Sequence, residues 1–140
     1  MKKFFSAIVL AVAILLSQAM KISSVEAADA WIYTDKNNVQ YYLRDCSLPA
    51  RSWSFAHVVK VNGKNVTHLA YRFEMLDDVY YSVCEGSESY VFVSRDAPPI
   101  IEEGVISNSP VAYKIWNNYL SQMEKERWAR IKANESGRRR

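Results

Sequence analysis

Residues 52–75, "SWSFAHVVKVNGKNVTHLAYRFEM", decide the fold. On either side of Asn62-Gly63 runs a stretch rich in Val, Phe, Tyr and Trp, the residue types that suit a pleated, half-buried surface. Asn-Gly between two such runs is the strongest short hairpin signal, because both central residues of a type I′ turn need positive φ. Residues 52–61 and 65–75 therefore read as two long antiparallel strands. A two-residue Asn62-Gly63 loop pairs Val61 with Lys64. It also places the chain's only two histidines, His57 and His68, directly opposite one another on one face.

Outward from this hairpin the pattern repeats. "AWIYT" (30–34) is a short strand and "DKNN" (35–38) a turn by composition. In "VQYYLR" (39–44), Val39, Tyr41 and Leu43 alternate with Gln40, Tyr42 and Arg44, the period of a half-buried strand. "LDD" (76–78) turns the chain into "VYYSVC" (79–84), and "EGSES" (85–89) turns it into "YVFVS" (90–94). None of these connections can hold a helical crossover, so the expected architecture is α+β: a six-stranded antiparallel meander. Residues 95–108, with two adjacent prolines, read as a loop. Ser109-Pro110 then starts a helix, with Ser as N-cap and Pro at the first position. Ala112, Ile115, Trp116, Tyr119, Leu120 and Met123 form one apolar stripe that packs the helix on a sheet face. Beyond Met123, Glu126 and Arg127 fall on the stripe and Trp128 points away from it. Residues 124–133 read as a helical extension and 134–140 as a disordered tail.

The first 27 residues look like a leader. Lys2 and Lys3 precede the uncharged run Phe4–Leu16, and Val25 and Ala27 suit cleavage after Ala27, with a second position after Ala30. The expected mature chain is one domain, 28–123, with a basic extension, 124–140. Export to the periplasm, cell surface or medium permits disulfides, so Cys46 and Cys84 are expected to be bonded.

Charge is uneven. Residues 28–123 carry eight basic and eleven acidic side chains, whereas 124–140 carry seven basic and three acidic ones. The body lacks the electrostatic footprint of a nucleic-acid binder. Arg127, Trp128, Arg130, Lys132, Arg138, Arg139 and Arg140 instead suit an anionic surface.

Catalytic patterns are weak. No serine sits in a strand–elbow–helix context. Glu102-Glu103 and Asp77-Asp78 read as solvated loop carboxylates. The four scattered glycines cradle no phosphate. His57 and His68 could share a metal or haem-like ligand, but two imidazoles are fewer than the three or four donors of a stable zinc site. No resident cofactor is expected. One helix cannot cover both sheet faces, so Trp53, Tyr42, Tyr80 and Tyr90 are candidates for an open aromatic face that binds a partner.

"WIYTDKNNVQYYL" (31–43), "VVKVNGK" (58–64), "YRFEM" (71–75), "VYYSV" (79–83) and "SPVAYKIWNNYL" (109–120) together resemble the surface-adhesin protein E family. The resemblance covers about residues 30–123. It implies a six-stranded sheet with a C-terminal helix, and non-enzymatic binding at the cell surface to host matrix or plasma proteins and, through a dimer, to haem. The functional expectation is an exported binding module presenting a sheet face to a protein partner, homodimerisation included. The alternatives are a structural or accessory envelope protein and a small metal- or haem-binding protein.

Overall fold

The computed structural model describes residues 29–49 and 52–138. The leader expected over 1–27, and Arg139 and Arg140, lie outside the described residues. The α+β expectation holds: six strands form one antiparallel sheet in chain order, followed by a C-terminal helix. The strands are β1 (Ala30–Thr34), β2 (Gln40–Ser47), β3 (Trp53–Asn62), β4 (Asn65–Met75), β5 (Val79–Glu85) and β6 (Glu102–Val105).

Local chemistry sets the turns. The Asp35 carboxylate accepts from the backbone N–H of Asn37 at 2.8 Å and of Val39 at 3.0 Å, closing the β1–β2 turn around Asn38, whose φ is 63°. In the β3–β4 hairpin Asn62 pairs with Asn65, so the two loop residues are Gly63 and Lys64. Gly63 has φ 60° and Lys64 is not among the positive-φ residues, the type II′ pattern rather than the expected I′. The register moves by two, and His57 faces Ala70 while His68 faces Val59.

The sixth strand is not where the sequence suggests. "YVFVS" does not enter the sheet; Ser89–Phe92 forms a 3₁₀ turn that packs back on it. Gly86 directs the chain off β5 with φ 147°, and a Cβ there would lie 2.8 Å from Val91 Cγ2. Val91 and Phe92 bury against Trp53, Phe55, Ala70 and Cys84. We call residues 86–101 the strap. The edge strand comes from the expected loop: Glu102 pairs with Val83 and Val105 with Tyr80. Tyr81 pins it by donating its hydroxyl to Glu102 Oε1 at 2.6 Å. Burial and that carboxylate push the Tyr81 pKa up to about 12.

The opposite face carries the main core. Val58, Leu69, Tyr71 and Phe73 lie under Ile115 and Leu120 of the helix. Ser109 caps it as expected, its hydroxyl oxygen accepting from Ala112 N–H at 3.2 Å with Pro110 at the first position. The helix has three parts: α1 (Pro110–Ile115), a π turn (Trp116–Leu120) and α2 (Ser121–Arg138). It continues to Arg138, through residues expected to be disordered.

The π turn changes what the sequence periodicity implied. A wider turn adds one residue to the helical phase. Of the two residues expected on the stripe, Glu126 is exposed and Arg127 is half-buried, and Glu124 and Ile131 are half-buried with it beyond Leu120. Glu124 accepts the Ser54 hydroxyl at 2.9 Å. Trp128 therefore borders the sheet corner rather than pointing away from it.

The expected disulfide is absent: Cys46 and Cys84 are both free. Cys46 lies on β2 in the helix-side core, its Sγ 3.5 Å from Met123 Sδ, and Cys84 lies on β5 in the strap-side core. Three strand spacings of about 4.8 Å separate their strands. A disulfide needs Cα atoms within about 7 Å. Burial raises both thiol pKa values, which makes them packing groups with little thiolate.

Candidate functional site

The histidines meet diagonally across β3 and β4. His57 Nε2 lies 2.8 Å from His68 Nδ1, with ring centroids 5.0 Å apart, so one ring donates and the other accepts. His57 is buried and His68 half-buried. Asp45 faces His57 from β2. Beside it the Arg44 guanidinium makes a two-pronged contact with the buried Asp29 carboxylate at 2.9 and 3.0 Å. Among the described residues no three His, Cys, Asp or Glu side chains converge as a metal set.

Burial, then the charge of His68, then Arg44, hold the His57 pKa below its ordinary value, against Asp29 and Asp45. The unfolded chain, with a His pKa of about 6.5, therefore binds more protons than the folded one on the acid side. The contribution of neutral His57 to stability is present above about pH 6.5 and is lost as pH falls below it. His57→Gln should remove that part of the slope. The check is urea denaturation at intervals between about pH 7.5 and 5; parallel parent and variant curves would refute it.

The four proposed face aromatics do not assemble. Trp53 is core, its ring edge-on to Phe92 at 6.0 Å. Tyr42 is half-buried and donates to Gln40 Oε1 at 2.6 Å. Tyr80, on the far side of the β3–β4 hairpin, donates to Asp77 Oδ1 at 2.9 Å. Tyr90 lies outside the sheet, on the strap. Tyr90, Val93, Ile100 and Ile101 are between 48% and 60% exposed. The expected open face is thus closed at its centre by the strap, whose own outer side is apolar. No strand pattern signals this, because "YVFVS" carries the same residue types whether it pairs or folds back.

The basic extension forms a third feature. Where α2 leaves the sheet it overhangs the corner made by the start of β3 and the end of β4. Beneath it lies a cavity of about 500 Å³ lined by Met75, Trp116, Trp128, Ala129, Lys125 and Lys132, among others. A second, of about 230 Å³, shares Met75, Trp116, Glu124 and Trp128 and reaches Ser52, Phe73 and Ile131. Trp128 is 53% exposed, Met75 51% and Leu76 73%. Arg127 Nη1 approaches Glu124 at 3.9 Å, and Arg130 and Arg138 are exposed. Ordinary helical spacing gave no signal for this continuation, because twelve residues from Trp116 would turn Trp128 about 120° away without the π turn.

No protein-family model matches the chain, and no curated protein or solved structure matches it significantly.

Proposed function

We propose that the chain is an exported, non-enzymatic binding module of the cell envelope, adhesin-like in build, that presents the strap to a protein partner. The observation that carries this reading is the division of labour along residues 86–101: Val91 and Phe92 anchor the segment, while Tyr90, Val93, Ile100 and Ile101 are left in solvent. Clustered exposed apolar side chains mark interaction sites. Exposed Glu88, Arg95 and Asp96 supply both charge signs nearby, which suits a protein rather than a polyanion. The working surface moves from the bare sheet face to its cover.

The test is retention by immobilised protein of individual components of host matrix, plasma or envelope extracts, compared with a Tyr90→Ser/Val93→Ser/Ile101→Ser variant. A discrete partner kept by the parent and lost by the variant supports the reading; equal retention removes the strap from it. A partner from the chain's own envelope would favour a structural or accessory role, and self-association in sedimentation a homodimer. A second reading is a metal or haem ligand at His57 and His68, whose two ring nitrogens already converge and whose mutual hydrogen bond the ligand would replace. Titration with cupric or zinc ion and with haem, against His57→Gln, tests it.

A further inference from the structure

We propose that the cleft under the helical overhang is a binding site for a long-chain fatty carboxylate. This site is separate from the strap and does not rest on the strap's role.

The cleft is concave and its walls are apolar. Met75 from the sheet, Trp116 from the π turn, and Trp128 and Ala129 from α2 line the larger lobe. Its 500 Å³ lies within the range of ligand pockets that bury most of a small molecule. The adjoining lobe, toward Phe73 and Ile131, extends the apolar path. Trp128, Met75 and Leu76 remain more than half exposed around it, so the protein supplies apolar walls without filling them.

The π turn is the second observation. Such turns are rare and recur at functional sites. Here it brings Trp128 and Ile131 over the corner, beside Glu124 and Arg127. No residue of α2 is fully buried, and beyond Met123, which packs against the core at its start, core contacts do not hold the segment in this phase.

Charge identifies the ligand. Lys125 and Lys132 stand seven residues apart, almost in line along the helix, and both border the larger lobe. The one carboxylate in the lining, Glu124, is engaged by Ser54 at 2.9 Å and approached by Arg127 at 3.9 Å. An apolar channel rimmed by ammonium groups fits a single acyl chain with an anionic end. Lysine presents a compact point charge that suits a carboxylate. The nearest guanidinium, whose fork would favour a phosphate, is turned to Glu124. A flat bilayer fits less well, because Trp128 faces into a cleft and not outward from the helix.

The experiment uses protein expressed from the full-length sequence and purified as the cell delivers it. Dodecanoate is titrated below its critical micelle concentration and followed by calorimetry. Parallel titrations use dodecyl phosphate, dodecyltrimethylammonium and phosphatidylglycerol vesicles. Saturable uptake of one dodecanoate is expected, weakened about tenfold or more by Lys125→Glu/Lys132→Glu and by Trp128→Ala, and unaffected by Arg138→Glu. These positions lie on a helix segment with no buried residue, so circular dichroism and urea midpoints should match the parent. Absence of saturable dodecanoate binding overturns the proposal, as does binding indifferent to the lysine and tryptophan changes. Tighter binding of dodecyl phosphate or of the cationic amphiphile overturns the carboxylate assignment. Binding to vesicles alone would assign the basic segment to a bilayer surface instead.

Discussion

Phe73→Ala should lower the stability of the domain by about 3–5 kcal/mol. Phe73 is 1% exposed at the point where sheet, helix and π turn meet. Its ring stacks near Tyr71 at 6.2 Å and approaches Trp116 at 5.8 Å. Removing it deletes a fully buried aromatic and leaves a cavity beneath a helix that the surrounding strands cannot follow inward. The measure is the urea midpoint at unchanged denaturant dependence. A loss under about 1 kcal/mol, the level of an ordinary substitution, would mean that the helix is not docked on this face.

Trp53→Ala should also cost about 3–5 kcal/mol, for a different reason. If the second sheet face were open, this residue would be a solvent-exposed aromatic and its loss nearly silent. In the structure it is buried with Phe55, Ala70 and Cys84 under Val91 and Phe92. The Arg72 guanidinium caps the Phe92 ring at 5.3 Å, and its buried Nε has no hydrogen-bond partner among the described residues. Trp53→Ala should therefore loosen the strap as well as destabilise the sheet. Limited proteolysis should cut residues 86–101 faster in the variant, while Phe73→Ala at matched stability should show no such preference.

Much of this architecture was legible because local and global signals agree. The alternation in residues 39–44, the Asn-Gly-Lys turn and the Ser109-Pro110 start each point to the element that forms. The misreadings have physical causes. Asn62-Gly63 and Gly63-Lys64 are both chemically acceptable hairpin loops, as I′ and II′ turns respectively. Choosing between them moves the register by two, which keeps every side chain on its face but turns a direct histidine pair into a diagonal one. The strand at 102–105 has the composition of a loop, "EEGV", whereas 90–94 has that of a strand. Tertiary burial of Val91 and Phe92, redirected at Gly86, overrides both preferences. The cysteine pairing failed because an even count carries no information about which face each residue occupies. The candidate site was legible only in part: the basic side chains could be counted, but the cleft depends on a helical phase that composition does not encode.

The widened turn at Trp116–Leu120 also bears on how this chain can vary. It behaves as a one-residue insertion absorbed inside a helix, so the segment after it keeps the direction it would have had without the extra residue. Deleting a single residue from the exposed pair Asn117-Asn118 would let the helix close to ordinary winding. Everything downstream would keep its phase, and Trp128 and Ile131 would stay over the corner. Losing one residue later in α2, with the wide turn kept, would instead swing the residues beyond it by about 100°. The overhang thus tolerates a one-codon loss at this turn but exchanges its chemistry when the same loss falls further along the helix.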